Sequence, residues 1–130
     1  GNELGLSLLV TLASPLSGVP SASGGVEWAP TVMPCWYDLS PGSPFLQQLF
    51  TESLEPGVPH FLFFAYKRSG LGGESSDGTI DLKSQLRVNA QAMARRVIGV
   101  DADHVGVLSD QVTLEELSGI LDEHLWGAPR

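Results

Sequence analysis

An aspartate in one loop and a histidine in another carry most of the chemistry this chain offers. Asp77 stands in Glu74-Ser75-Ser76-Asp77-Gly78-Thr79-Ile80, with Ser84-Gln85-Leu86 a little further on. His104 stands in Asp101-Ala102-Asp103-His104-Val105-Gly106-Val107-Leu108. Both loops follow runs that read as strands, and in open α/β sheets reactive side chains sit on loops beyond the carboxyl ends of strands. A carboxylate and an imidazole so placed can serve as orienter and general base of a nucleophilic triad. The carboxylate holds the imidazole tautomer and stabilises the imidazolium formed when the ring takes a proton. Taken singly the strings say less: Asp-Gly is a common turn dipeptide, His104 suits a surface loop, and Asp103 suits a cap.

The remaining reactive side chains read as structural. His60 lies inside an apolar run, and His124 falls at a solvated helix end. Cys35 is the only cysteine, which excludes an internal disulfide framework and a multi-cysteine zinc site. With no base near it in sequence, it reads as buried filler. Asp101, Asp103 and His104 lie too close in sequence, and lack a further ligand, to argue for a metal, and no cofactor is expected. Ser69-Gly70-Leu71-Gly72-Gly73 lacks the Lys-Ser/Thr ending of a phosphate loop and opens no long helix, so it reads as a flexible loop.

The elements that must position Asp77 and His104 are legible as blocks between glycines and prolines. Leu6–Ala13 (LSLLVTLA) is an apolar run closed by Ser14-Pro15 and reads as a buried strand. Residues 14–44 hold six prolines and cannot be one long helix, yet Val26, Trp28, Val32, Met33, Trp36 and Tyr37 make them too apolar for a disordered linker. A packed, irregular excursion is expected there. Ser43 caps a short helix from Pro44 to about Ser53, with Phe45, Leu46, Leu49 and Phe50 on one face. Val58–Tyr66 (VPHFLFFAY) is the strongest strand, and Ser69–Thr79 is a loop. Arg87–Ala94 reads as a short helix carrying Val88, Ala92 and Met93, and Arg95–Val100 as a third strand. Thr113 with Glu116 forms a capping box for a last helix to about Trp126, burying Leu114, Leu117, Ile120, Leu121 and Leu125. Apolar strands joined by helical crossovers imply a parallel sheet with right-handed connections.

Composition bounds the rest. The chain has 130 residues, enough for one globular unit. Seven Lys and Arg against fifteen Asp and Glu give a net charge of −8 and a pI near 4.6. That balance lacks the basic footprint of a nucleic-acid binder and disfavours electrostatic recruitment to an anionic membrane leaflet. No apolar run reaches the roughly 18 residues of a membrane span, and no signal-peptide pattern opens the chain. The compartment is left open.

In combination and in order, three stretches resemble the C-terminal half of an α/β-hydrolase of the lipase and esterase branch that includes GPI inositol-deacylase-like lipases. They are VTLASPLSG at 10–18, SDGTIDLKSQL at 76–86 and DADHVGVL at 101–108. The first resembles the sixth strand of that family and its exit loop. The second resembles the loop that supplies the acidic triad residue, which the match places on Asp77. The third resembles the loop that supplies the catalytic histidine, placed on His104. The resemblance covers most of the chain and is weakest over residues 19–57.

It implies an α/β fold of three layers: a small, mainly parallel sheet (strands about 6–13, 58–66 and 95–100) with flanking helices, corresponding to the last part of a hydrolase sheet. Residues 1–130 would be a single partial domain, with 19–45 as an irregular cap-like segment. Trp28, Val32, Met33, Trp36 and Tyr37 within the excursion would then line a cap or acyl pocket, or else cover the core of an ordinary insertion. The implied activity is hydrolysis of an ester or lipid substrate. The departure is equally clear: such a hydrolase needs a G-x-S-x-G nucleophile elbow ahead of its Asp and His, and none occurs here. The nearest string, Gly5-Leu6-Ser7-Leu8-Leu9, lacks the final glycine. The chain by itself is therefore expected to be inactive. The alternative is a non-catalytic α/β module that associates through an open sheet edge. In either case the 6–13 strand, bare of lysine and interior proline, is expected to drive self-association.

Overall fold

The computed structural model describes residues 5–51, 57–67 and 75–127. Over these residues the chain is an α/β protein. Three parallel strands, β1 (Leu9–Leu12), β2 (His60–Tyr66) and β3 (Arg96–Asp101), lie in the order β1-β2-β3. Helices α1 (Pro20–Trp28), α2 (Pro34–Leu39) and α3 (Pro44–Gln48) connect the first two strands, and α4 (Leu82–Gln85) and α5 (Val88–Met93) the second pair. Then α6 (Gln111–Leu121) follows β3 and widens into a π-helical turn at Asp122–Trp126. No helix is long and apolar enough to cross a membrane among the described residues.

β2 has a strand on each side, which is what its unbroken apolar run requires. Alternation sends Phe61, Phe63 and Ala65 of β2 and Ile98 and Val100 of β3 to one face, where Val107 and Ile120 complete the core. Thus α6 lies on this face, held further by Arg96 Nη2 on Glu116 Oε2 at 2.9 Å and by an edge-on His124–Phe61 contact. Across the sheet, the end of α3 and α5 close over Leu9, Thr11 and His60, leaving an apolar cavity of about 210 Å³ among Leu16, Leu49, Phe50 and Met93. Helices on both faces make the three-layer arrangement.

The seam between β1 and β2 is shorter than the hydrophobicity of the first run suggests, for two reasons. Leu9 N–H donates to Pro59 O at 3.0 Å, but Pro59 has no N–H to give to the Ser7 carbonyl, the next acceptor along the ladder, so pairing starts at Leu9. At the other end Ala13 donates to Phe63 O at 2.9 Å and then turns out of the sheet with φ +44°. That left-handed backbone costs about 1–2 kcal/mol for a residue with a Cβ. Leu6 and Ser7, expected within the strand, lie exposed ahead of it.

Several expectations need correction. The excursion is not irregular: α1 and α2 each begin on a proline, which tolerates the first helical position because its missing N–H is unpaired there anyway. Cys35 is exposed rather than filler, because α2 packs on α1 through Trp36, whose indole fills the space a Cβ on Gly25 would need. Ser43 does cap α3, accepting from Leu46 N–H at 3.2 Å, but the helix ends at Gln48 and Ser53 lies outside the described residues. In α5 it is Ala90 that is buried, with Val88 exposed. The cap of α6 is Asp110, accepting from Val112 N–H at 2.9 Å, so that Thr113 falls inside the helix and is buried. Of the expected stripe Ile120 is buried, Leu117 and Leu121 are half-buried, and Leu114 and Leu125 are exposed.

Candidate active site

Beyond the carboxyl end of β2 the chain folds back on itself. Lys67 N–H donates to Ser76 O at 2.9 Å, and Ser76 bridges Asp81. Between them Asp77-Gly78-Thr79-Ile80 forms a tight turn that uses Gly78 at φ +92°. Asp77 N–H donates to Ile80 O at 3.2 Å, and the Asp77 Oδ1 accepts from Thr79 N–H at 2.9 Å and Ile80 N–H at 2.7 Å. An aspartate followed by glycine is suited to such a self-bonded turn. The carboxylate is 0% exposed, and its second oxygen points across to the loop after β3.

That loop brings His104. Its Nδ1 lies 2.7 Å from Asp77 Oδ2, and its main-chain N–H donates to Asp77 O at 3.0 Å. Asp103 braces the loop from within: its Oδ1 accepts from Gly106 N–H at 2.7 Å and its carbonyl from Val107 N–H at 3.0 Å. A Cβ on Gly106 would stand 3.0 Å from that Oδ1, so the glycine fits the close approach. Asp103 Oδ2 also meets Lys67 Nζ at 3.1 Å, tying the exits of β2 and β3. The Gly106 amide and then Lys67 hold the Asp103 carboxyl below its ordinary range.

The sequence string therefore places Asp77 and His104 together, on two strand exits at one end of the sheet. With Nδ1 facing a carboxylate oxygen, the ring carries its proton there and presents Nε2 as acceptor. Among the described residues nothing bonds to Nε2, and the ring is half-buried. The other histidines lie elsewhere. His60, at the start of β2, has its Nε2 2.9 Å from Thr11 Oγ1, within hydrogen-bond distance, and burial lowers its pKa. His124 Nδ1 meets Ile120 O at 2.9 Å. The Ser69–Gly73 string lies outside the described residues. No three His, Cys, Asp or Glu side chains among the described residues gather as metal ligands.

One supporting residue had no functional reading in the sequence. Gln85, buried in α4, accepts from Ala65 N–H at 2.8 Å and donates to Ala65 O at 3.1 Å and Ile80 O at 3.0 Å. It thus joins β2 to the turn that holds Asp77. The available signal was a polar Gln85 standing three residues after Leu82 and next to Leu86, where helical spacing would place an apolar side chain. Comparison of the chain with family models, curated proteins and solved structures found no match.

Proposed function

We propose that Asp77 and His104 are the acid and base members of a serine-hydrolase triad, and that this chain is the acid–base portion of a carboxylic ester hydrolase of the lipase and esterase type. One observation carries the reading: a fully buried carboxylate, fixed by two amides on Oδ1, offers Oδ2 to the His104 Nδ1 at 2.7 Å. In that geometry Nε2 takes the proton of an attacking serine hydroxyl, the imidazolium is stabilised by Asp77, and the same proton passes to the leaving alkoxide. The correspondence with the last strands of an α/β-hydrolase sheet is part of this proposal. So is an origin for the serine and the oxyanion-hole amides in a segment that precedes β1 and adds to its edge.

Two arms test it. Fluorophosphonate treatment of the 130-residue chain should leave every serine unmodified. The reading frame upstream of Gly1 should encode a G-x-S-x-G, and the longer protein should be labelled at that serine unless His104 is replaced by Ala. Labelling within the 130 residues, an upstream frame without the elbow, or labelling that survives His104→Ala overturns the proposal.

A second reading, a non-catalytic module that binds through its sheet, is favoured by the position of β1 at the sheet edge. It predicts association without any labelling of the longer protein.

A further inference from the structure

Asp77 and His104 arrive from different strand exits, so the 2.7 Å between them depends on how each is located against the sheet. His104 follows β3, where Val100 is in register with Ala65 of β2 and Asp101 with Tyr66. Asp77 is located by another route that ends at the same residue. Gln85 Oε1 accepts from Ala65 N–H at 2.8 Å, while Nε2 donates to Ala65 O at 3.1 Å and to Ile80 O at 3.0 Å. Both partners are thus measured from Ala65, His104 through the strand register and Asp77 through a side chain.

The amide can point only one way. Reversed, it would set its NH2 against the Ala65 N–H and its oxygen against two carbonyls. Gln85 is 1% exposed, so water does not compete for these groups. Ile80, the residue it grips, faces Asp77 with both main-chain groups. Its carbonyl accepts from Asp77 N–H at 3.2 Å, and its N–H donates to Asp77 Oδ1 at 2.7 Å. The bonds from Lys67 N–H to Ser76 O and from Leu82 N–H to Ser75 O hold the approach to Asp77 rather than Ile80. Displacing Ile80 therefore carries the carboxylate away from the ring.

We propose that Gln85 is a positioning residue for the Asp77–His104 pair, setting through Ile80 the distance at which Asp77 Oδ2 meets the ring. The proposal rests on the reading of that pair as acid and base. Gln85 touches neither His104 nor a reacting atom, and it acts only by holding the turn. A small misplacement of an orienting group is costly in catalysis, which gives such a clamp its value. A glutamine that merely satisfied Ala65 would matter to stability and leave the pair unchanged in the folded protein.

The test is proton resonance of His104 Nδ1–H in the 130-residue chain and its variants, at a temperature where all are folded. In Gln85→Leu the resonance should move upfield, and its exchange with water should quicken about tenfold, as expected for loss of a buried bond. Gln85→Asn, which draws the amide back by one methylene, should shift it the same way by less, and carries the test if Gln85→Leu does not fold. Phe61→Leu truncates the core at the entry of β2, lowering stability without touching the clamp, and should leave the resonance as in the parent. An unchanged resonance in the folded Gln85 variants overturns the positioning role and leaves the pair standing. An equal shift in Phe61→Leu, or loss of folding in both Gln85 variants, overturns it as well. A parent chain without a low-field Nδ1 proton overturns the pair, and this inference with it.

Discussion

His104 is joined to Asp77 twice, main chain to main chain at 3.0 Å and ring to carboxylate at 2.7 Å. The first contact sets the distance between the two loops, and the second sets the tautomer. Because they are separable, the side chain can be altered while the loop stays docked. That makes the pair open to direct measurement.

The Nδ1 proton of His104 should appear as a low-field proton resonance, with the ring nitrogens reporting the Nδ1–H form. In Asp77→Asn the side-chain amide replaces an acceptor by a donor, so the resonance should vanish and the ring should switch to Nε2–H. Where the pair serves a serine, kcat should fall by about 10⁴-fold, since the wrong tautomer cannot accept the nucleophile's proton. An unchanged tautomer in Asp77→Asn would sink this assignment.

Gln85→Leu keeps the volume but removes all three bonds to Ala65 and Ile80. Each buried backbone group left unpaired costs about 1–3 kcal/mol. The urea midpoint should fall clearly, and the amide of Ala65 should lose its protection from hydrogen exchange. A midpoint within error of the parent chain would show that water or relaxation replaces the glutamine.

Stability should also depend on pH through His60. Burial lowers its imidazole below the ordinary 6.5, and its Nε2 is engaged by Thr11. Between the lowered and the ordinary value the unfolded chain binds more protons than the folded one, so stability rises with pH there. The contribution is complete above about pH 6.5 and is lost as the pH falls toward the folded-state value. Denaturation of the parent and of His60→Gln at several pH values checks this: the variant should lose the slope in that window.

The edge of β1 gives a prediction about association. Leu9 and Ala13 point their amides at β2, so the alternation of a strand turns those of Val10 and Leu12 away from it. Among the described residues no strand lies beyond them, and Leu8, Val10 and Leu12 are only partly buried. A second copy is expected to pair there, giving a two-fold dimer visible by light scattering at micromolar concentration. Leu12→Lys should restore a monomer. A monomeric parent chain with slow exchange at Val10 and Leu12 would count against it.

The strands and the two site loops were legible because their signals are local. A run such as FLFFAY suits only a position flanked on both sides, and the Asp-Gly turn and the DADH loop follow such runs. What escaped depends on partners distant in sequence. Nothing in the apolar string of residues 6–13 reveals that Pro59, opposite it, withholds an amide. Asp110 and Thr113 can both cap a helix, aspartate the more strongly of the two, and the burial of Thr113 completes the choice. The prolines of residues 14–44 could break helices or begin them. At Pro20 and Pro34 they begin them, because the free N–H positions of a first turn coincide with the residue that has none to offer. The outward face of Cys35 follows from Trp36 seating on Gly25, a contact between helices.

The glutamine amide at Ala65 also bears on how this chain could change. A side chain, not a further strand peptide, completes the hydrogen bonds of β2 where β1 has already left the sheet. The polypeptide between Val19 and Leu39 is therefore relieved of any part in closing that end of the sheet, whereas Ser17 and Gly18 stay tied to Ser84 of α4. Segments of different length or composition can be spliced between those points while the turn that cradles the carboxylate keeps its own supports. Loop grafting between Val19 and Leu39 should accordingly leave the loops after β2 and β3 in register, a freedom suited to exchanging one recognition surface for another.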